Sequence, residues 1–540
     1  MTSYNLADLF ELVVDHVPAE RPALIVDGTR HGYAELESRA NRLANFLKSR
    51  GVGVGDHVGI HLRNGNEYLE GMLAAYKLRA VPVNINYNYV EGELRHLYDY
   101  IDLVATLVHR QYVPRVDAIR GELDKLHTLV AVDDGSDGSP AGDWVDYESA
   151  LAASSAAREF EPRGSDDIYI ICTGGTTGMP KGVMWRHEDI FFASLGGGDA
   201  DRSKGVIERP EELADRIVDH VMPILPAPPF MHAAAQWGAL TSLLSGGTLV
   251  IPARGAFDVR AIWRAVSDEG AFVLMIVGDA MGTPLADELE ANPGAYNTDS
   301  LFVIASGGAI LSPVVKRRLL ELLPGRMIVD GLGSSETGVI GDKSIDDAAA
   351  GEFAGPRFAI GEFVQVLDEN MQPVVPGSGR SGRLARGGHI PLGYYKAPEK
   401  TAETFVEANG RRWALPGDLA TVEADGTVLL LGRGSTSINT GGEKVFPEEV
   451  EMAAKENPAV FDVLVVGVPD ERFGEVVTAV CQLQPGAELS LEALRESCRA
   501  HLASYKIPRR LVLCERIKRS PAGKADYPWA RDFAASAPGS

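Results

Sequence analysis

Residues 168–182 read Ile-Tyr-Ile-Ile-Cys-Thr-Gly-Gly-Thr-Thr-Gly-Met-Pro-Lys-Gly. The apolar run Ile168–Cys172 predicts a buried strand, and it feeds directly into a loop of four glycines, three threonines and a lysine, Thr173–Gly182. Glycines let the backbone curl until successive N–H groups converge on an anion, and threonine hydroxyls add donors. Lys181 supplies a point charge for a phosphate. Thr173, Gly174, Gly175, Thr176, Thr177, Gly178 and Lys181 are therefore read as a phosphate-binding loop in preference to a plain flexible turn. It is not a Walker A loop, because Gly178 is followed by Met179-Pro180-Lys181 and not directly by Lys-Ser or Lys-Thr.

On both sides of this loop the chain alternates helical and strand patterns. Tyr33–Lys48 places Leu36, Ala40, Leu43 and Leu47 at three- and four-residue steps, which predicts an amphipathic helix. A strand at Val58–Leu62, a helix at Tyr68–Leu78, a strand at Val81–Ile85 and a helix at Glu91–Tyr100 follow. Further strands are expected near Phe272–Val277 and Leu301–Ala305, and the charged segment Asp199–His220 reads as a helical excursion. Such alternation argues for a largely parallel sheet covered by helices. Beyond about Gly361 the pattern turns to short β-rich pieces punctuated by Gly and Pro. Gly432–Ser435 then leads into a new pattern of helix Pro447–Glu456, strand Val463–Val468 and helix Leu491–Leu502, the right size for a compact second domain. The expected fold is α/β: a large N-terminal domain (1–431) with β/α layered sheets and a β-rich subdomain, a hinge (432–436), and a small mobile α+β C-terminal domain (437–540).

Composition narrows the class. The chain has 540 residues, 45% hydrophobic and 24% charged, which excludes collagen-like, disordered and fibrous proteins and calls for at least two domains. A net charge of −23 makes the molecule as a whole a poor surface for nucleic acid or anionic membrane. Cys172, Cys481, Cys498 and Cys514 form no C-x-x-C pair and read as reduced thiols of a cytoplasmic protein. The N-terminus carries acids where a signal peptide would carry lysines, and the apolar runs are too short to span a bilayer. Oligomeric state is open, a homo-oligomer included. Charge is uneven: His501–Arg531 holds eight Lys and Arg against two acids. That tail is either solvated surface or a dock for a polyanionic small molecule.

The loop resembles the signature T-S-G-T-T-G-x-P-K-G of the acyl-adenylate-forming enzymes: acyl-CoA synthetases, peptide-synthetase adenylation domains and luciferases. Gly174 stands where that family usually has Ser. The resemblance runs through nearly the whole chain in the family's order: Pro229–His232, Ser306-Gly307-Gly308-Ala309, Asp330–Thr337, Trp413 with Pro416-Gly417-Asp418, Gly432-Arg433, Gly441–Pro447 and Ser520–Lys524. Three further departures are Leu332 for the usual Tyr, Ser335 for Thr, and Thr436 for the hinge Asp. The phrases TGGTTGMPKGVMWRHEDI, GSSETG, INTGGEKVFPEEVE and KRSPAGKADY are most similar to fatty-acyl-CoA synthetases that include ligases of steroid side-chain acids.

What the resemblance implies is a two-step reaction. A carboxylate attacks the α-phosphorus of ATP and displaces pyrophosphate, and the acyl group then passes to the thiol of coenzyme A. Lys524, His232 and Glu336 would be the catalytic residues. Lys524 would reach the α-phosphate, and His232 would lie beside the acyl carboxylate. Glu336, with Thr176, would hold Mg²⁺, a hard cation suited to carboxylate and phosphate oxygens; otherwise Glu336 is a helix N-terminal residue favoured by the dipole. Gly307, Gly308 and Ala309 would pack on adenine together with Asp330, Gly331 and Ser335. Asp418 and Arg433 would contact ribose, and Gly441, Gly442 and Lys444 would face coenzyme A. The C-terminal domain would rotate near Thr436 between the steps. Partners are then a small carboxylic acid, ATP and coenzyme A. Two rivals stay open: an acyl-AMP ligase that loads a carrier protein, and a silent acyl or nucleotide binder. Small residues at Ala233–Ala235, Gly307–Gly308 and Gly196–Gly198 suggest a roomy apolar site. Cys172, without a paired base, reads as a structural thiol.

Overall fold

The computed structural model describes residues 3–137, 142–173, 180–200, 203–219, 222–252, 255, 257–344, 357–440, 443–470, 472–519 and 523–537, with 342–344, 433 and 435 described by backbone alone. Its strands form five sheets. In the first, Ile224–Pro226, Val273–Ile276, Val303–Gly307 and Met327–Ser334 are parallel neighbours, and Gly338–Ser344 closes one end antiparallel to the last of them. A second, parallel sheet begins with His57–His61, Val81–Asn84 and Leu103–His109. The helices Leu6–His16, Tyr33–Ser49, Asn66–Lys77 and Ala233–Leu244 share one apolar cluster with residues of both sheets. In the second sheet His57–His61 is buried along its whole length and Leu103–His109 nearly so, as strands covered by helices on both faces are.

Two antiparallel units complete the large part. Ile168–Thr173 pairs with Lys181–Arg186, which also takes Gly393–Tyr394 as a neighbour. A seven-stranded sheet spans residues 357–433 and accounts for the β-rich punctuation beyond Gly361. Its last strand, Val428–Arg433, runs into the turn Gly434–Thr436, and Ile438–Thr440 already belongs to another sheet. That final sheet, with helices Pro447–Lys455, Leu491–Arg499 and Tyr527–Ser536, is built around two apolar clusters drawn entirely from residues 438–537.

One expectation fails. Asp199–His220 is not a helical excursion: its described residues are irregular apart from a 3-10 stretch at Pro210–Arg216. The Asp199 carboxylate accepts from the backbone N–H groups of Ser203, Lys204 and Gly205 at 3.0, 3.1 and 2.7 Å, a local alternative to helical bonding.

A buried ionic group locks the N-terminal helices. Lys77 is 0% exposed, and its ammonium lies 2.5 Å from Glu11 and 2.9 Å from Glu37. Arg158 reaches Glu37 at 2.7 Å and Arg163 reaches Glu11 at 2.5 Å. Three helices and the 158–163 segment thus meet at one cation.

Candidate active site

Ligands of open α/β sheets bind at the carboxyl ends of the strands. Here the parallel strands 224–226, 273–276, 303–307 and 327–334 end along one edge, and the motif segments continue from those ends.

His232 precedes the helix Ala233–Leu244. Its segment is held by amide side chains that sequence reasoning passed over. Asn64 Nδ2 donates to Pro228 O at 3.0 Å while its Oδ1 accepts from Phe230 N at 2.6 Å. Gln236 Nε2 donates to Phe230 O at 2.7 Å. Asn84 Nδ2 donates to both Met231 O (2.7 Å) and Cys172 O (2.9 Å), and its Oδ1 accepts from Cys172 N (2.7 Å). Asn84 therefore ties the end of the loop-bearing strand to the His232 segment. The His232 Nε2 is shielded from solvent and has no hydrogen-bond partner among the described residues. Burial first, and then the Lys524 cation, push its pKa down to about 4, so the ring is neutral at pH 7.

Thr173 and Lys181 face each other across the hairpin, and the intervening Gly174, Gly175, Thr176, Thr177 and Gly178 lie outside the described residues. Lys181 Nζ stands 5.8 Å from the centroid of the Tyr394 ring, and the Tyr394 hydroxyl donates to Glu336 Oε1 at 2.9 Å. Tyr394, a further residue missed in the sequence, so joins Lys181 to Glu336. Glu336 occupies the turn between the antiparallel strands Met327–Ser334 and Gly338–Ser344, so the helix N-terminal reading of it fails. Trp185 Nε1 donates to Ser335 O at 3.0 Å and Ser334 N donates to Thr337 Oγ1 at 3.0 Å, which brace that turn from both sides.

Ser306 and Gly307 pair in parallel register with Asp330 and Gly331. Gly308, with φ +81°, turns the chain in the left-handed region, and a Cβ there would meet open space; Ala309 follows. The Asp330 carboxylate is held by the Lys316 ammonium. Asp418 begins a strand directly opposite Arg433, and Gly434 N donates to Gly417 O at 3.0 Å, so both stand where the chain leaves its last large sheet. Lys444 is exposed on the strand Glu443–Val445, while Gly441, Gly442 and Ser520–Ala522 lie outside the described residues.

Of the basic tail, Arg509, Arg516, Lys518, Lys524 and Arg531 are exposed, as solvated surface would be. Lys506 pairs with Glu449 (2.6 Å) and Arg519 with Asp462 (2.7 Å), while Arg509 lies 4.1 Å over the Phe473 ring. The expectation of open space at Gly196–Gly198 is corrected at two of the three: a Cβ on Gly197 or Gly198 would come within 2.8 Å of Val206 or Ile207, so the room these glycines leave is already filled by side chains. Cys172 is buried, which raises its thiol pKa to about 12 and removes it as a nucleophile.

No helix among the described residues is long and apolar enough to cross a membrane. Residues 10–395 match the AMP-binding enzyme family and residues 449–524 the AMP-binding enzyme C-terminal domain. The chain is 48% identical to a 3-oxocholest-4-en-26-oate–CoA ligase of Rhodococcus rhodochrous, over 98% of this chain and 95% of that one. It is 39% identical to the medium-chain acyl-CoA ligase Mig of Mycobacterium avium, over 99% and 98% of the two chains. Among solved structures, ATP-bound MatB from Rhodopseudomonas palustris superposes with a TM-score of 0.82 at 25% identity, over 98% of this chain and 99% of that one. An anthranilate CoA ligase with bound anthranoyl-AMP shares the fold, at TM-score 0.84 and 21% identity over 99% and 98% of the chains. The chain belongs to the AMP-binding enzymes, in their acyl-CoA ligase group.

Proposed function

We propose that this acid–thiol ligase activates a bulky apolar carboxylic acid, of the steroid side-chain or long fatty-acid type, as its acyl-adenylate and passes the acyl group to coenzyme A. The observation that carries the reading is the pairing of a neutral, shielded His232 with the Lys524 cation at the carboxyl edge of the sheet. A neutral ring accommodates an acyl carboxylate without binding it as a salt, and leaves the nucleophile its charge. Lys524 then orients the attacking carboxylate oxygen and stabilises the negative charge on the α-phosphate oxygens as pyrophosphate leaves, where positioned cations act most strongly. Thr173 to Gly178 and Lys181 hold the phosphates. Gly307, Gly308, Ala309, Asp330, Gly331 and Ser335 flank the adenine, and Asp418 and Arg433 take the ribose. Gly441, Gly442 and Lys444 serve coenzyme A after the C-terminal domain turns about 432–436. The 48% and 39% identical ligases named above support the acyl class.

Glu336 offers a carboxylate oxygen suited to Mg²⁺, with Tyr394 orienting it and Thr176 as a further ligand. Among the described residues no group of three or more His, Cys, Asp or Glu can hold a metal, so most ligands of that ion would come from the nucleotide and water. When bound, Mg²⁺ neutralises phosphate charge. Glu336→Gln keeps the shape and removes the charge, so the Mg²⁺ concentration for half-maximal activity is expected to rise sharply. An unchanged Mg²⁺ titration assigns Glu336 to turn structure alone.

Pyrophosphate release measured with ATP and coenzyme A across short, long, aromatic and steroid acids tests the function. Thioester appearing with free coenzyme A separates it from carrier loading, and release with no acid overturns it. The pocket is tested at Ala234, which is half-buried beside the fully buried Ala235. A long or polycyclic acid gains about 25 cal/mol per Å² of apolar surface removed from water. Trp at Ala234 is expected to overpack that space at a cost of about 1–3 kcal/mol for bulky acids and much less for short ones. The measurement is the ratio of kcat/KM for a bulky and a short acid; an unmoved ratio places these alanines against the core.

A further inference from the structure

A chain of charges crosses from the large domain to the loop that carries Lys524. It starts at Asp279, in the first turn of the helix Gly278–Ala291. One of its oxygens, Oδ1, accepts from Ser312 N at 2.7 Å, and its own N–H donates to Ile310 O at 3.1 Å. Gly278 N donates to Ser306 Oγ at 3.1 Å. Asp279 is thus fixed to the segment Ile310–Ser312 that continues the Ser306–Ala309 turn, and its neighbour Gly278 to Ser306 itself. Its other oxygen, Oδ2, lies 2.7 Å from the Lys455 ammonium, on the helix Pro447–Lys455 of the small domain.

From there the chain continues within the small domain. Lys455 stands 3.3 Å from Asp462 Oδ1. Arg519 grips the same carboxylate with two bonds of 2.7 Å, from Nε and from Nη2. Arg519 Nη1 donates to Gly523 O at 3.2 Å, one residue before Lys524, and an antiparallel bridge between Arg519 and Ala525 closes the base of that loop. Gly523 has φ +72°, and a Cβ on it would come within 2.8 Å of Ala280 Cβ, next to Asp279. Gly523, the residue before Lys524, therefore seats directly on the helix start that supplies the charge.

All four side chains are mostly buried, so charge-assisted bonds between them are weakly screened and directional. Burial works against the Lys455 charge, yet Asp279 and Asp462 outweigh it and raise its pKa. Buried charges with full partners specify geometry, and they cost heavily when one partner is lost.

We propose that Asp279, Lys455, Asp462 and Arg519 act as a positioning relay that docks the Lys524 loop on the large domain for the adenylate-forming step. The relay touches no reacting atom. It rests on the assignment of Lys524 made above. Asp279 is the joint between the domains, since the other three members move together with the small domain. Breaking the Asp279–Lys455 pair weakens docking without altering the fold of either side, and it leaves the thioester step, which needs another arrangement, free of that contact.

The test measures the half-reactions separately on the full-length protein. Acid-dependent pyrophosphate exchange without coenzyme A reports adenylation; thioester formation from supplied acyl-adenylate and coenzyme A reports the second step. Asp279→Asn keeps the Ser312 bond and removes the charge. Adenylation is expected to fall about ten- to a hundredfold in kcat, as for loss of a charge-assisted bond, with the KM for ATP nearly constant. Thioester formation is expected to stay within about twofold. Lys455→Gln, made from the other side, is expected to reproduce this split, and Lys455→Arg to restore most of it. Equal loss in both steps, or wild-type rates in both variants, overturns the relay. If Lys524→Ala abolishes adenylation while Asp279→Asn and Lys455→Gln do not slow it, the relay alone is wrong. Wild-type adenylation that survives Lys524→Ala overturns the parent assignment and the relay together.

Discussion

Lys524→Ala is expected to lower acyl-adenylate formation by about 10²–10³-fold while the protein remains folded. The size follows from what the side chain does: it is a cation placed where negative charge accumulates in the transition state. Lys524 is exposed, so its removal leaves no cavity. Its charge acts on His232, and the variant should also let the His232 ring protonate more readily, because one of the two influences that depress its pKa is gone. Thioester formation from supplied acyl-adenylate should change far less. Pyrophosphate exchange and single-turnover thioester formation, run side by side, decide the matter. Equal losses in the two would assign Lys524 to substrate binding in general.

The largest expected effect on stability lies far from the chemistry. Lys77→Met removes a fully buried cation and leaves Glu11 and Glu37 facing each other with Arg158, Arg163 and the Asn41 amide in compensation. Stranding buried carboxylates in this way typically costs about 3–5 kcal/mol. Urea midpoints of wild type and variant measure it, and a difference below about 1 kcal/mol would show that the arginines and Asn41 suffice. The same group predicts an acid limit. Glu11 is held below its ordinary pKa of 4.5: burial raises it, but Lys77 and Arg163 together outweigh burial. A carboxylate depressed in the folded state stabilises the fold above its unfolded pKa, and that contribution is lost as pH falls through the folded value. Stability should therefore decline below about pH 4.5, and Lys77→Met should flatten that decline.

Much of the fold was legible because its signals are local. Tyr33–Ser49 declares itself by apolar spacing, and Ile168–Thr173 by a run that only a buried strand requires. Asp199–His220 misled because its charges suit a helix surface, whereas its described residues put only Ile207, Leu213 and the capping Asp199 inside. At the site, the anion loop and the His232 segment stand out in the chain itself. The residues that hold them do not. Asn84 lies 88 positions from Cys172 and 147 from Met231, and Tyr394 lies 58 positions from Glu336. An asparagine or tyrosine is chemically ordinary until folding sets it against a distant backbone. The basic tail is legible in the opposite way: its cations are conspicuous in the sequence and five of the eight are exposed, but the acids that Lys506 and Arg519 meet come near only in the tertiary structure.

Among the described residues, the apolar clusters of 438–537 draw on nothing from earlier in the chain, and those of the large part on nothing from later. Melting is a property of shared packing, so two apolar cores joined by a few contacts such as Asp279–Lys455 and not by a common core are expected to melt separately. In a calorimeter the protein should give two heat-absorption peaks, the smaller from the last hundred or so residues. Ligands that bind across the junction should draw the peaks together, which makes their separation a thermometer for domain closure.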